Sequence, residues 1–300
     1  MNVLVSGATG FLGSFVTRAA LEAGHSVIGL TRRASELSRL AGTPSGARLQ
    51  LVADDSSPDA VERVFDSHRI DAVIHTATSY GRGAITAATY PELIEANLNF
   101  PMRILHAAVN QGTPLFINTD SYFNKPGQTY NSLQGYSLSK KYFLDWLQHH
   151  CDRIHVVNMR LEHLYGPTDG EDKFIPTLVE QIARQKVASF DMTPGEQSRD
   201  FVYVTDAAAA FMLVLNDLPQ ARSGHDYFEI GTGMTSTIRD IAMLIKKVSN
   251  SPTELGFGAL AYRPDEIEAS VADPAFRDRF GFHATVTIER GIQNLVGYEE

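Results

Sequence analysis

Tyr136 and Lys140, four residues apart, carry side chains that could together transfer a proton. The apolar residues Phe143, Leu144 and Leu147 follow at helical spacing, so we predict an amphipathic helix with the phenol and the ammonium on one face. A free tyrosine keeps its proton until about pH 10, and a nearby ammonium stabilises phenolate and lowers that pKa. Because this spacing also occurs on ordinary surface helices, its meaning depends on the rest of the chain.

The first thirty residues predict an element that binds a phosphate group. A strand over 1–6 leads into Gly7, Gly10 and Gly13, and a helical pattern and a second strand over 25–30 follow. In a βαβ unit, glycines at this spacing permit the tight turn, the close approach of a pyrophosphate and the packing of helix on strand. The helix N-terminus then supplies N–H groups to an anion. The alternative is a glycine turn with a structural role only.

The rest of the first half alternates strands with helices. We predict strands over 48–53, 71–75 and 114–118 and a helix over about 90–110. This alternation is typical of an open, doubly wound parallel sheet, which binds ligands outside the carboxyl ends of its strands. Thr119 follows such an end, so we expect it to lie near Tyr136. The fold class is therefore α/β.

Beyond residue 166 the predicted elements are shorter. We expect a Rossmann domain over 1–166, to which segments near 201–204 and 228–230 return, and a smaller mixed substrate-binding region over 167–300. The elements predicted in that region are helices over about 175–185, 206–216, 237–249 and 287–295 and a strand over 187–190.

Composition and charge exclude several classes of protein. The chain has 300 residues and a formal net charge of −9, which argues against binding to nucleic acid or to an anionic membrane. Cys151 is the only cysteine, so no intrachain disulfide or cysteine-based metal cluster can form. The adjacent His149 and His150 would diverge on a helix, and we expect no metal site. The apolar run 207–215 is too short to span a bilayer, and no signal peptide is evident, so we expect a cytoplasmic protein.

The end of the second predicted strand bears on the choice of cofactor. NAD-preferring dinucleotide folds place an acid there to bind the ribose 2′-hydroxyl, and this chain has Thr31, Arg32 and Arg33 instead. Two arginines suit a 2′-phosphate, so we expect NADP to be preferred, with NAD possible. The alternative is a solvated basic loop.

Taken in order, these and later motifs resemble those of the extended short-chain dehydrogenase/reductases, the NAD-dependent epimerase/dehydratase family. The resemblance covers nearly the whole chain, and its nearest members are nucleotide-sugar 4-ketoreductases of the CDP-abequose synthase kind, which the runs 119–123 and 195–201 resemble. The matching motifs are Gly7-x-x-Gly10-x-x-Gly13, Asp54, 71–77, Thr119, Tyr136-x-x-x-Lys140, 160–167, 199–206, 227–233 and 263–266.

The resemblance implies a role for each matching residue. Thr119, Tyr136 and Lys140 would be catalytic, and no residue would bind metal. The implied cofactor-binding residues are Gly7, Thr9, Gly10, Phe11, Leu12, Gly13, Thr31, Arg32, Arg33, Asp54, Asp55, His75, Thr76, Ala77, Thr78, Asn97, Tyr136 and Lys140. The implied substrate-binding residues are Asp120, Ser121, Glu162, His163, Arg199 and Arg263.

One departure from the family narrows the reaction. Dehydratases follow the catalytic threonine with Asp-Glu, whereas Thr119 is followed by Asp120 and Ser121. We therefore expect NADPH-dependent reduction of the C4 keto group of a nucleoside-diphosphate-4-keto-6-deoxysugar. Asp120 is either a residual acid or a hydrogen-bonding anchor. The alternatives are a nucleotide-sugar epimerase with tightly bound cofactor and, more distantly, a non-catalytic dinucleotide sensor.

Apolar side chains on more than one face of the two helices predict a homodimer. Relatives of this kind pair the helices that begin near Tyr90 and Tyr136 across a two-fold axis. The apolar residues concerned are Met102, Leu138, Tyr142 and Trp146. Alternatively, these side chains all belong to the core of one subunit.

Overall fold

The structure is a computed structural model. It describes residues 1–43, 48–54, 57, 59–81, 86–126, 133–217 and 223–297, without the side chain of Asp54. In the described part of the chain, no helix has the length and apolar character needed to cross a membrane.

The strands and helices alternate through the first half of the chain. The strands are β1 (Asn2–Ser6), β2 (Ser26–Arg32), β3 (Leu49–Asp54), β4 (Ala72–His75), β5 (Leu115–Ser121), β6 (His155–Leu161), β7 (His163–Tyr165), β8 (Ser189–Met192), β9 (Ser198–Arg199), β10 (Phe201–Tyr203), β11 (Gly224–Ile230), β12 (Ser236–Thr237), β13 (Glu254–Phe257) and β14 (Ala269–Ser270). The α-helices are α1 (Phe11–Glu22), α2 (Ala60–Ser67), α3 (Tyr90–Ile94), α4 (Phe100–Gln111), α5 (Gln134–His149), α6 (Phe174–Leu178), α7 (Val204–Asn216), α8 (Ile238–Val248), α9 (Ala275–Phe280) and α10 (Ile288–Val296).

Among the described residues, seven strands form the main sheet, in the order β11-β6-β5-β4-β1-β2-β3. The pairs β3–β2, β2–β1, β1–β4 and β4–β5 are parallel. The strand order reverses at β1, which lies between β2 and β4, and this is the switch point at which doubly wound folds bind ligands. The predicted doubly wound α/β fold is confirmed.

Contacts divide the chain into two compact units. Unit 1 comprises Met1–Arg160 and Ala208–Phe228, and unit 2 comprises Leu161–Ala207 and Glu229–Glu300. This division differs from the predicted boundary at 166 and from the predicted return of 201–204. The reason is local pairing, since β10 pairs with β7 in unit 2, whereas β11 joins β6 in the main sheet.

Each unit has its own apolar core. In unit 1, Leu4, Val73 and Phe116 from the sheet are completely buried with Ile104 of α4 and Leu147 of α5. In unit 2, Tyr165 packs with residues of α6, α8 and α10. Helices α8 and α10 begin with matching caps, because the hydroxyls of Thr237 and Thr287 accept hydrogen bonds from N–H groups three residues later.

Candidate active site

The glycine-rich turn after β1 leaves no space for larger side chains. Gly7 has a positive φ of 73°, and a Cβ there would lie 2.8 Å from the backbone nitrogen of Ala77. A Cβ on Gly13 would lie 2.0 Å from the carbonyl oxygen of Gly7 and 2.6 Å from Oγ1 of Thr76. The start of α1 therefore packs directly against the ends of β1 and β4, as the spacing of the glycines predicts.

The start of α1 has the form of an anion site. Gly10 precedes the helix, no side chain caps it, and its first turn contains no acidic residue. A Cβ on Gly10 would meet only the carbonyl oxygen of Gly7, at 3.1 Å. A helix N-terminus without a side-chain cap and the space beside Gly10 fit the pyrophosphate of a dinucleotide, which this end of α1 would hold.

Thr119, Lys140 and Tyr136 lie together at the carboxyl edge of the sheet in unit 1. The ammonium of Lys140, whose residue is 7 % exposed, donates a hydrogen bond to the carbonyl oxygen of Thr119 at 2.7 Å. Its Nζ lies 5.7 Å from the centre of the Tyr136 ring. The Thr119 hydroxyl is buried and has no hydrogen-bond partner among the described residues. Such an orphaned hydroxyl fits a position that binds a ligand oxygen.

Aromatic rings enclose Tyr136. Tyr80 stacks on it with 4.8 Å between ring centres, and Phe123 meets it edge-on at 6.4 Å. Tyr80 was not predicted, because it lies in a loop after β4, where no periodic pattern marks a side chain for the site. Burial, followed by the charges of Tyr80 and Asp120, raises the pKa of Tyr136 well above its ordinary value, against a hydrogen bond with Ser121. The pKa of Tyr136 is therefore not lowered overall as expected, because burial outweighs any lowering by the Lys140 ammonium.

The pKa of Lys140 moves in the opposite direction. Burial lowers it to about 8, and the charge of Asp120 opposes that change. Near neutral pH the side chain is thus mostly an ammonium, because its pKa lies only slightly above neutrality. Its charge depends on its surroundings more than the charge of an exposed lysine does.

His75 and Thr76 tie β4 to β1. His75 is buried, Nδ1 of its ring is hydrogen-bonded to Oγ of Ser6 at 2.7 Å, and the ring packs against Phe116 and Phe143. Burial lowers the pKa of His75 to about 3, so the ring is neutral. Oγ1 of Thr76 donates to the carbonyl oxygen of Ser6 at 2.7 Å. The two side chains therefore hold the ends of β4 and β1 together beside the glycine turn.

Asn97 clamps a loop to the helix that carries Tyr136. A π-helical turn, Glu95–Asn99, joins α3 to α4 and buries Asn97. The side-chain oxygen Oδ1 of Asn97 accepts hydrogen bonds from the Ser79 N–H at 2.7 Å and from Oγ1 of Thr78 at 3.0 Å. Its amide donates to the Ser79 carbonyl at 2.7 Å and to Oγ of Ser139 at 3.0 Å. The predicted cofactor residues Asn97 and Thr78 are therefore bonded to each other, and π-turns often mark functional positions.

The side chain of Asp120 is completely buried and is bonded to protein groups. Oδ1 accepts from the Ser121 N–H and from the Asn124 amide, both at 2.8 Å. Oδ2 accepts from the Asn158 amide at 3.0 Å and lies 3.8 Å from Nε of Arg160. Of the two roles left open for Asp120, this geometry supports the hydrogen-bonding anchor.

The residues predicted to choose the cofactor lie at the ends of β2 and β3. Thr31 is half-buried, whereas Arg32 and Arg33 are exposed. Neither guanidinium has a hydrogen bond or an ion pair with another described residue. Arg32 is the register partner of Asp54, the last residue of β3. Asp55 lies outside the described residues.

The other predicted substrate residues lie in unit 2. Arg199 is buried and pairs through Nη2 with Oε1 of Glu266 at 2.7 Å. The buried carboxylate of Glu162 accepts from Oγ of Ser270 at 2.7 Å. His163 meets Phe201 edge-on, and Arg263 is exposed. Ser121, by contrast, lies in unit 1 beside Tyr136.

Two aspartates in the 199–206 motif have structural contacts that sequence analysis did not predict. Asp200 accepts from the N–H and hydroxyl of Thr232 at 2.8 and 2.7 Å and from the N–H groups of Gly233 and Ala272 at 2.8 and 3.2 Å. Asp206 accepts from the N–H and hydroxyl of Thr285 at 3.0 and 2.7 Å. The two aspartates hold loops of unit 2 in place. Their hydrogen-bond partners are too distant in sequence for a local pattern to predict these contacts.

Comparison with known proteins identifies the family. The model of the NAD-dependent epimerase/dehydratase family matches residues 3–231. The chain belongs to this family. The prediction that the chain is an NAD(P)-dependent enzyme of this family is thereby confirmed. The glycine turn and the Thr119–Tyr136–Lys140 group lie within the matched residues.

Full-length relatives extend the comparison. The chain is 30% identical to the CDP-abequose synthase of Salmonella muenchen, with 100% of this chain and 98% of that protein covered. It is 31% identical to the CDP-abequose synthase of Salmonella typhimurium strain LT2, with 98% and 97% covered. The predicted resemblance to that kind of protein is confirmed. The UDP-glucose 4-epimerase of Thermotoga maritima, solved with UDP-glucose, shares the fold, with a TM-score of 0.82 at 22% identity over 99% of this chain and 98% of that one.

Proposed function

We propose that this protein catalyses the NADPH-dependent reduction of the C4 keto group of a nucleoside-diphosphate-4-keto-6-deoxysugar, with Tyr136 as the proton donor. The observation that carries the proposal is the grouping of the orphaned Thr119 hydroxyl, the Lys140 ammonium bonded to the Thr119 carbonyl, and the Tyr136 ring beside that ammonium. Like an ordinary tyrosine, Tyr136 holds its proton at neutral pH, and burial raises its pKa further. Reduction of a ketone needs a protonated donor at the start, whereas oxidation of an alcohol needs a base.

The roles of the other two residues follow from their positions. NADPH, when bound, would supply the hydride for C4. The Thr119 hydroxyl orients the keto oxygen, and Tyr136 gives its proton to the alkoxide, so that the C4 carbonyl becomes a C4 alcohol. Lys140, an ammonium beside the Thr119 carbonyl, stabilises the phenolate that remains and binds the nicotinamide ribose.

Dehydration is disfavoured by the residues after Thr119. A dehydratase needs a carboxylate to take a proton from the sugar carbon, and Ser121 stands at the position where the family has that Glu. The neighbouring Asp120 does not replace it, because protein donors already engage both of its oxygens. The deoxygenated C6 is therefore a feature of the incoming substrate.

The remaining binding roles are part of the same proposal. The exposed Arg32 and Arg33 bind the 2′-phosphate of NADPH. Arg263 and Arg199, the latter on release of its ion pair with Glu266, bind the substrate diphosphate. The similarity to two CDP-abequose synthases supports a nucleotide sugar as the substrate. We also propose a cytoplasmic homodimer that pairs α5 with the helical segment that begins at Tyr90 and continues through α4.

A nucleotide-sugar epimerase is the second candidate. Its support is the similarity of fold to a UDP-glucose 4-epimerase. An epimerase oxidises and then reduces the same sugar, so it returns the hydride and consumes no cofactor. A non-catalytic dinucleotide sensor is a more distant candidate, and the presence of Thr119, Tyr136 and Lys140 argues against it.

The test measures cofactor consumption. Purified protein is incubated with NADPH and, separately, with CDP-, dTDP-, GDP- and UDP-4-keto-6-deoxysugars, while the absorbance of the reduced nicotinamide and the mass of the sugar are followed. We expect one substrate to gain two hydrogens with loss of one equivalent of NADPH. A changed sugar without loss of NADPH would establish the epimerase instead.

A further inference from the structure

Asn158, a completely buried residue of β6, is bonded to the residues on both sides of Thr119. Nδ2 of Asn118 donates a hydrogen bond to Oδ1 of Asn158 at 2.6 Å, and Nδ2 of Asn158 donates to Oδ2 of Asp120 at 3.0 Å. Asn118 and Asp120 come immediately before and after Thr119 in β5. One side chain of β6 therefore holds both neighbours of Thr119 in the sequence.

The carboxylate of Asp120 determines the direction of these two bonds. A carboxylate oxygen accepts hydrogen bonds and does not donate them, so Asn158 must present its amide nitrogen to Asp120. The carbonyl oxygen of Asn158 then faces Asn118, which must be the donor. An apolar side chain at position 158 would leave a buried donor and a buried acceptor in β5 without these partners.

Thr119 lies where β5 extends beyond β4. The register of these two strands ends at the pair His75 and Asn118, so Thr119 has no register partner in β4 among the described residues. Successive side chains of a strand point to opposite faces, so Asn158 bonds to β5 on the face opposite the Thr119 side chain. The clamp thus fixes the strand and leaves the Thr119 hydroxyl without a hydrogen-bond partner in the described part of the chain.

We propose that Asn158 is a positioning residue that acts through Thr119 and holds its hydroxyl where the keto oxygen of the substrate binds. This inference rests on the proposed function, in which Thr119 orients that oxygen. Asn158 bonds to the other face of β5 and is not itself a catalytic residue. Misplacement of a reacting group by about 1 Å can reduce a rate on the order of a hundredfold, so a clamp on this strand matters for turnover.

The first variant removes both bonds of the clamp. Asn158→Leu keeps the approximate size of the side chain, and we expect kcat to fall by about tenfold or more, with the Kd of NADPH unchanged. The matched control is Gln111→Leu. The amide of Gln111 accepts from the Ile70 N–H and donates to the His68 carbonyl, both at 2.8 Å, at the amino end of the sheet. This control should lower stability and retain kcat.

A double-mutant cycle separates positioning from a general loss of stability. Thr119→Val lacks the hydroxyl that Asn158 positions, so adding Asn158→Leu to it should lower kcat little further. Residues that act through one another have non-additive effects, whereas independent substitutions multiply their effects on the rate. Equal reductions of kcat by Asn158→Leu in the unmodified protein and in Thr119→Val would overturn the proposal.

An exchange of two residues carries the test if Asn158→Leu does not fold. Asn158→Asp alone places a second carboxylate beside Asp120, and it should lower kcat. Adding Asp120→Asn restores the bond between the two positions, because the introduced amide donates to the introduced carboxylate, which still accepts from Asn118. The kcat should then return close to that of the unmodified protein. A double variant no more active than Asn158→Asp would contradict the clamp.

The two proposals fail separately. Labelling of threonine methyl groups with carbon-13 reports on Thr119 in the full-length protein without NADPH or sugar, and the signal is assigned by its loss in Thr119→Val. Asn158→Leu should shift or broaden this signal, and Gln111→Leu should not. An unchanged signal in Asn158→Leu would overturn the positioning role whichever reaction the protein catalyses. Absence of NADPH consumption with every sugar would remove the proposed function alone.

Discussion

The ring of Tyr80 lies flat against the ring of Tyr136, with an angle of 23° between their planes. The stack excludes water from the phenol and adds a second phenol nearby, and both effects raise the pKa of Tyr136. Because Tyr80 belongs to a loop after β4, the pKa of the proposed donor depends on the position of that loop.

We therefore predict a graded response to substitution of Tyr80. Tyr80→Phe keeps the stack and removes the second phenol, so it should lower the pKa of Tyr136 slightly. Tyr80→Ala also exposes Tyr136 to water and should lower that pKa more. The measurement is phenolate absorbance against pH, with the curve of the same variant carrying Tyr136→Phe subtracted. Identical curves for Tyr80→Ala and the unmodified protein would show that Tyr80 does not raise the pKa of Tyr136.

Tyr136→Phe should reduce turnover by about a hundredfold or more, the usual contribution of a positioned general acid. Thermal unfolding and NADPH binding should stay nearly unchanged, because only one hydroxyl is lost. Tyr142→Phe, an exposed position on the same helix, is the matched control and should retain full turnover. Turnover close to that of the unmodified protein in Tyr136→Phe would exclude Tyr136 from the mechanism.

The pair Arg32 and Arg33 should make NADPH bind more tightly than NADH. Charge-assisted hydrogen bonds contribute about 1.5–3 kcal/mol each, so replacing both arginines by Ala should narrow the difference in Kd by at least about tenfold. Arg69→Ala removes an exposed arginine before β4, at the amino end of the sheet, and should leave the difference unchanged. Calorimetric titration with NADPH and with NADH measures the two Kd values. Equal affinity in the unmodified protein contradicts the prediction.

Asp200→Ala should destabilise unit 2. The substitution leaves the N–H groups of Thr232, Gly233 and Ala272 without their acceptor, and we expect a loss on the order of 3 kcal/mol in the free energy of unfolding. Denaturant unfolding monitored by circular dichroism measures the change. The control Asp278→Ala, at an exposed position of α9, should change stability by less than about 0.5 kcal/mol. Equal effects of the two substitutions would show that the Asp200 contacts contribute little.

The exposed apolar side chains on α5 should form a subunit interface. Leu138, Tyr142 and Trp146 are 49%, 56% and 45% exposed, and they lie on one face at helical spacing. Light scattering should give twice the mass of the chain, and Leu138→Arg should give the mass of one chain. Met243→Arg, at an exposed apolar position of α8, is the control and should remain dimeric. A monomer at micromolar concentration in the unmodified protein would contradict the interface.

Local patterns predicted the elements that the site depends on. The strand–glycine–helix spacing placed Gly7 and Gly13 where they pack, and helical spacing placed Lys140 one turn after Tyr136. The contacts of Asp120 and Asn97 were not predictable in this way. Their partners lie many residues away in sequence, and only the folded sheet brings them together. The raised pKa of Tyr136 escaped prediction for the same reason, since burial is a property of the packed site.

The Asn97 clamp also links the motions of two segments. Its single amide bonds the Ser79 backbone on one side and the Ser139 hydroxyl on the other, so opening of the loop after β4 would break two bonds to the same side chain that bonds α5. Exchange of the Ser79 amide hydrogen with solvent should therefore slow or quicken together with exchange at the start of α5. A cofactor that closes the loop would, through this one side chain, also restrict the helix that carries the proton donor.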